Sequence, residues 1–307
     1  MQARISSLGK NIAIISQGYE AYGLLGQSKL LNTLVPAATL LQYEENMLYE
    51  FIIIHVQSSE QKIIRNGIHF EIYDDWSQGI PGYTIFFIYK MFDILYQEDN
   101  LIAFHASAVS LNGKGILFVG NPGSGKTGVM LNLVLHHGAK FISNNRTVIR
   151  NGGKGPEIIG GTQSISIRKE DVMRYHKFIS PNVIHEISVT GFQLFHPDEL
   201  SIQHIDPEQS PLKLDLIIFV ELKDGISHIS HLNWESAVYR AYENISKTQW
   251  GECLLFNGKL PAPILEKMEG PEIRLDHLRE LLKTTTSVSI KGGMDFTIEQ
   301  LQSLTQK

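Results

Sequence analysis

The residues with the clearest chemistry are GNPGSGKT, 120–127. They satisfy G-x-x-x-x-G-K-[ST] through Gly120, Gly125, Lys126 and Thr127, with Asn121, Pro122, Gly123 and Ser124 between them and Gly128 following. Glycines let a backbone curl until successive N–H groups point at phosphate oxygens, and a helix starting at the lysine adds the positive end of its dipole. In such a loop Lys126 reaches the β- and γ-phosphates, and the Thr127 hydroxyl ligates Mg²⁺. The motif needs a strand before it and a helix after it. GILFV (115–119) and KTGVMLNLVLHH (126–137) read as those two elements. The expectation is a nucleotide site for ATP and Mg²⁺.

The elements around the loop set its context. LIAFHASAVSL (101–111) and KGILFVG (114–120) read as two strands joined by the turn NGK. Gly138 suits the C-terminal cap of the helix, and KFIS (140–143) reads as the next strand. KLDLIIFVELKDG (213–225) has the continuous apolar centre of a strand covered on both faces. SAVYRAYENI and RLDHLRELLK read as helices near the C-terminus. TIFFIYKMFDILYQEDN (84–100) is apolar on most faces, as for a helix packed between layers. Before the breaker SQGIPGY (77–83) lie short β-rich runs, NIAIIS, LYEFIIIHV and IHFEIYDD. The expected organisation is a β-rich region over 1–80, then an α/β phosphate-loop domain over 81–307.

Three stretches, FHASAVSLNGKGILFVGNPGSGKTG, GAKFISNNRTVI and PEIIGG, together resemble the catalytic domain of the HPr kinase/phosphorylase family and its relatives among peptide-tailoring kinases. The resemblance is firm over residues 101–146 and looser towards the C-terminus. It implies a phosphate-loop kinase fold of HPr-kinase type, phosphorylation of a serine on a protein or peptide, and a homo-oligomer, since the founding enzymes form hexamers. The family places a histidine in the strand before the loop, here His105. The resemblance makes His105 a phosphate neighbour, against the ordinary reading of a satisfied strand histidine. EIIG, from Glu157, stands where the family has Glu-Ile-Arg-Gly. That makes Glu157 a metal candidate, against a solvated loop carboxylate. Arg168, in SISIRKED, either neutralises phosphate or acceptor charge or is a surface cation.

The family's Asp-Asp-Arg triplet is replaced here by Asn144, Asn145 and Arg146. In the family pattern one aspartate takes the proton of the attacking serine and the other helps anchor Mg²⁺. An asparagine amide does not accept that proton and ligates hard cations only through a neutral carbonyl. Losing a positioned general base costs about 10²–10⁴ in rate. Glu221, ending the apolar run LDLIIFVE, is a second carboxylate able to supply metal charge, or one simply leaving a strand for solvent. The asparagines can also be structural, since Asn after a strand favours turns.

Three functions therefore stay open. The first is a kinase transferring the γ-phosphate to a hydroxyl of a peptide, protein or small molecule. The second is a catalytically impaired nucleotide-binding protein that holds ATP or ADP as a regulatory or structural ligand. The third, a hydrolytic ATPase or GTPase, lacks an identifiable water-positioning Gln or arginine finger. Slow phosphorylation of a hydroxyl leads.

Composition excludes several classes. The 307 residues, 43% hydrophobic, suffice for a sizeable core. A formal charge of -5 and a pI near 6.2 argue against nucleic acid or anionic membrane as partner. The single cysteine, Cys253, forms no intramolecular disulfide, and no run is long enough for a leader or a membrane span, so the expected compartment is cytoplasmic. His136 and His137 read as helix capping. His228 and His231, three apart in a strand, face opposite ways and share no metal. Trp76, Trp234 and Trp250 lack a basic setting for stacking on bases.

Overall fold

The computed structural model describes residues 2–153, 155–179, 191–250 and 254–306, so Cys253 lies outside the described residues. Two units are present: Met1–Asp99 with Ser246–Gly270, and Asn100–Ile245 with Pro271–Lys307.

Up to Asp99 the described part of the first unit is a mixed sheet with helices. Its strands are β1 (Ala3–Ser7), β2 (Lys10–Gln17), β3 (Thr39–Gln42), β4 (Phe51–Gln57), β5 (Lys62–Asn66) and β6 (His69–Asp74), in spatial order β3-β1-β2-β4-β6-β5. β2, β4 and β6 run parallel. The helices are α1 (Ala21–Gly26), α2 (Lys29–Leu34) and α3 (Gly82–Glu98). α3 is buried from Thr84 to Tyr96 apart from Phe86, as its all-round apolar pattern requires. It packs on α2 and β2, so the unit division falls after Asp99 and not at the breaker near residue 80. The sequence shows α3's apolarity but not which sheet receives it.

One histidine of this unit is buried and fully engaged. His55 Nδ1 meets Ser16 Oγ at 2.8 Å, Nε2 lies 3.0 Å from the Asp74 carbonyl, and the ring stacks on Trp76 with centroids 3.8 Å apart. Burial pushes its pKa below the ordinary imidazole value.

The second unit carries the loop 120–125. Its first strands are β7 (Leu101–Phe104), β8 (Ala106–Leu111) and β9 (Lys114–Val119), followed by α4 (Lys126–His136) and β10 (Lys140–Ser143). Next come β11 (Thr147–Gly152), β12 (Gly155–Gly161), β13 (Ile165–Arg168), α5 (Lys169–Tyr175) and β14 (Phe192–Phe195). β15 (Leu212–Leu222), β16 (Ser227–His231) and α6 (Trp234–Trp250) follow. After the short pair β17 (Leu254–Leu255) and β18 (Leu260–Pro261), in the segment belonging to the first unit, the chain finishes with α7 (Gly270–Thr284), β19 (Thr286–Gly292) and α8 (Met294–Gln306).

The centre of this unit is β15, parallel to β9 on one side and to β19 on the other. Residues 216, 218 and 220 pack with α4 and α8, while 214, 217 and 219 pack with α6 and α7. That two-sided burial is why its apolar run is unbroken. The stretch 101–111 is two strands rather than one. The chain bends at His105, so that β7 pairs with β11 while β8 pairs with β9 and β10. No described helix is long and apolar enough to cross a membrane.

Candidate functional site

The loop 120–125 leaves β9 and enters α4, as the motif requires. Its glycines are there for space. A Cβ on Gly120 would sit 2.5 Å from Ser124 Oγ and 2.7 Å from the Val220 carbonyl. Gly125 caps α4 in a left-handed conformation, φ 95°, and a Cβ there would overlap the Leu222 side chain. The main chain ties the loop to β15, with Leu222 N–H donating to Ser124 O at 2.8 Å.

Lys126 is buried, and its Nζ donates to the Gly120 and Asn121 carbonyls at 2.7 and 3.1 Å. The ammonium thus lies across the concave side of the loop. Ser124 Oγ is buried and makes no hydrogen bond with any described residue. A glycine cradle, a lysine folded across it and an orphaned hydroxyl together fit a nucleotide's phosphates.

Asn144 stands next to the loop, fully buried at the end of β10. Its Oδ1 accepts from Ser107 Oγ at 2.8 Å and from Thr127 Oγ1 at 3.1 Å. Its main-chain carbonyl accepts from Thr162 Oγ1. Asn145 adopts φ 65°, a left-handed conformation that Asn tolerates, and its Nδ2 donates to Ser166 Oγ at 3.0 Å. Ser166 lies on β13, the strand that ends at Arg168. Arg168 comes to the loop: its Nη2 is 3.8 Å from where a Gly123 Cβ would be.

His105 also arrives beside the loop. The pairing of Ala106 with Val119 puts it next to Gly120. Asn244 of α6 holds its main chain from both sides: His105 N–H donates to Asn244 Oδ1 at 3.0 Å, and Asn244 Nδ2 donates to the His105 carbonyl at 3.2 Å.

The two metal candidates fare differently from the expectation. Glu157 is at the wrong end of the sheet. It pairs across β12 with Arg150 and Lys213, at the entry to β15, whereas the loop 120–125 adjoins the exit of that strand. The residues from Gly115 to Gly120 separate those ends, on the order of 17 Å at strand rise. Its carboxylate is bound by Arg150 at 2.7 Å. The EIIG stretch is therefore strand, and its acid serves an ion pair. Glu221 does reach the loop region, but Lys291 engages it at 2.8 Å and that hydrogen bond holds its carboxyl below the ordinary carboxylate range. Beside Thr127 the donors are neutral, and among the described residues no three His, Cys, Asp or Glu stand together to hold a metal. Mg²⁺ thus fits only through Thr127 and the phosphates it would accompany.

A cleft of about 1250 Å³ opens from the loop. Gly120–Ser124 form one wall, the ends of β15, β16 and β19 another, and α6 a third. Along α6 the lining residues fall at i and i+4: Glu235, Tyr239, Glu243 and, beside them, Ser236, Arg240, Asn244. Arg240 Nη1 donates to Ser289 Oγ at 2.9 Å, with the guanidinium over the Phe219 ring. Sequence reading missed these residues, and Ser107 and Ser166 too. A lone Ser, Asn or Glu on an amphipathic helix carries no motif, although the i, i+4 spacing of 236, 240 and 244 is visible once α6 is drawn. His228 lines this cleft, and its strand neighbour three on, His231, does not, as alternation along β16 requires.

No family model and no curated protein matches the chain. Among solved structures it is similar to the HPr(Ser) kinase/phosphatase from Coxiella burnetii, with 10% identity over 66% of this chain and 92% of that chain and a TM-score of 0.30. A likeness at that level carries no argument about what this chain does.

Proposed function

We propose that this protein binds ATP on the 120–128 loop and transfers the γ-phosphoryl group to a hydroxyl of a second reactant, a peptide, protein or small molecule, held in the cleft against α6. The observation that supports it most is Lys126 folded onto the Gly120 and Asn121 carbonyls between a buried strand and a buried helix. In this reading the loop N–H groups and Lys126 bind the β- and γ-phosphates, Ser124 Oγ adds a donor, and Arg168 covers the loop from the β13 side. Mg²⁺, when bound, neutralises phosphate charge. Thr127 is the residue that would hold it.

A second reading has one specific observation in its favour. Asn144 puts a neutral amide beside Thr127, where a carboxylate would anchor a divalent ion. A chain so built holds a nucleotide without turning it over.

Calorimetric titration with ATP and ADP, each with and without Mg²⁺, tests both. Micromolar binding that Lys126→Ala weakens about 10–100-fold is expected, since hydrogen bonds to a charged group are worth about 1.5–3 kcal/mol. Tightening of ATP by Mg²⁺ favours transfer, and indifference to Mg²⁺ favours the holding reading. If neither nucleotide binds, both readings fail.

A further inference from the structure

α6 brings a cation into the cleft, and the groups around that cation fix where its charge stands. Resting on the nucleotide reading above, we propose that Arg240 binds the γ-phosphate, and so lets the protein tell a nucleoside triphosphate from a diphosphate.

Two contacts place the guanidinium. Nη1 donates to Ser289 Oγ at 2.9 Å, and the central carbon lies 5.8 Å from the centroid of the Phe219 ring. Phe219 and Ser289 are partners across β15 and β19, so both contacts hold the head group over one level of the sheet. On its other side β15 pairs with β9, and there Phe219 is in register with Val119, the residue before Gly120. The guanidinium therefore stands level with the start of the loop. It is set sideways from β9 by one to two strand spacings, on the order of 5–10 Å.

Two further observations agree with that placement. Glu221, two residues beyond Phe219, feels the charge. The hydrogen bond from Lys291, and then the nearby charges of Lys291, Lys223 and Arg240, hold its carboxyl below the ordinary range. The helix itself is anchored at this level as well. Asn244, one turn after Arg240, hydrogen-bonds both main-chain groups of His105, whose neighbour Ala106 is the partner of Val119. The row 236, 240, 244 is thus turned towards the loop.

Arg240 is held in place without being neutralised. A guanidinium presents a fork of N–H donors, and among the described residues Ser289, a neutral hydroxyl, takes one of them. The rest of the fork suits the paired oxygens of a phosphate. Lys291 is the other Lys or Arg that lines the cleft, and its charge is spent on Glu221 at 2.8 Å. Glu221, Glu235 and Glu243 also line this space, so an entering phosphate needs a cation on the α6 wall to offset them. Lys126 meets the phosphates from inside the loop and Arg240 meets them from across the cleft. A diphosphate seated in the loop ends short of Arg240, and a triphosphate reaches it.

The test is the affinity of the full chain for ATP and for ADP, measured without Mg²⁺ so that no metal ion screens the γ-phosphate. Wild type is compared with Arg240→Gln, Arg240→Lys and Ser289→Ala. Arg240→Gln should weaken ATP about 10–100-fold, the range for hydrogen bonds between charged groups, and leave ADP within about twofold of wild type. Arg240→Lys keeps the charge and loses the fork, so it should weaken ATP by a smaller factor. Ser289→Ala unties the guanidinium and should also weaken ATP alone. A purely structural role for Arg240 would move both nucleotides together. Equal weakening of ATP and ADP, or unchanged ATP, overturns this assignment and leaves the nucleotide reading standing. Should Arg240→Gln not fold, the same two affinities in Arg240→Lys and Ser289→Ala decide in the same way. A wild type that binds neither nucleotide sinks the nucleotide reading, and this assignment with it.

Discussion

The side-chain oxygen of Asn144 accepts a hydrogen bond from the Thr127 hydroxyl at 3.1 Å and a second from Ser107 at 2.8 Å. A neutral amide oxygen thus takes two hydroxyl donors at a place where a carboxylate of the same shape would carry charge. The Thr127 hydroxyl spends its proton on Asn144.

Asn144→Asp adds a charge with the same shape. Mg²⁺ should tighten ATP binding to this variant by at least about tenfold more than in wild type, since a carboxylate near a divalent ion gains several kcal/mol at an effective dielectric near 20. Without metal the variant should melt earlier, because a buried carboxylate is costly even with two hydroxyl donors. Titration with and without Mg²⁺, beside a melting curve, checks both. An unchanged response to Mg²⁺ would remove Asn144 from the metal question.

Arg168 is exposed and rests on the loop at Gly123, on a strand that Asn145 secures through Ser166. Arg168→Ala should weaken ATP binding about three- to tenfold and leave the melting temperature within a degree or two, as expected of an exposed cation. Asn145→Ala should reproduce part of the effect by loosening β13. If Arg168→Ala binds ATP as wild type does, its place over the loop is incidental.

The loop glycines differ in what they tolerate. Gly125→Ala forces a left-handed alanine, costing about 1–2 kcal/mol, and drives a methyl into Leu222. A lowered urea midpoint and lost nucleotide binding are expected. Gly128 is inside α4, and a methyl there would only touch Met294 Cε at 3.5 Å. Gly128→Ala should therefore raise stability by about 0.5–1 kcal/mol. Equal midpoints for the two variants would contradict the close contact at Leu222.

His55 gives the first unit a pH dependence of known sign. Burial holds its folded-state pKa below the unfolded value, so in the range below about 6.5 the unfolded chain binds a proton that the folded chain refuses. Stability should fall as pH drops through about 6.5 towards 5. His277, in the second unit, is shifted downward by burial too and adds in the same direction. Urea midpoints between pH 5 and 8 for wild type and His55→Gln isolate the first contribution. The variant, weaker throughout, should show the shallower slope, and parallel slopes would mean that His55 stays neutral in neither state's favour.

The loop was readable because its pattern is local. Eight consecutive residues between an apolar strand and an apolar helix specify a turn, a donor set and a dipole, and no distant contact is needed to recognise them. The same holds for β15, whose unbroken apolar run announces burial on both faces, and for α3. The pairing of Glu221 with Lys291 was not readable, because β19 reaches β15 by a parallel connection of more than sixty residues. Glu157 misled for a related reason: its neighbours in sequence resemble a loop motif, while strand register carries it to the far end of the sheet.

The amino-acid sequence by itself determined the glycine-rich loop, its strand and helix, and the neutrality of positions 144 and 145, all properties of residues adjacent along the chain. Only the tertiary structure decided what surrounds them. It bent the chain at His105, seated Asn244 on that bend, brought Arg168 to Gly123 and tied Arg240 to Ser289. Those relations join residues 45 to 139 positions apart, and they depend on sheet order and helix rotation, which packing fixes and local propensity does not.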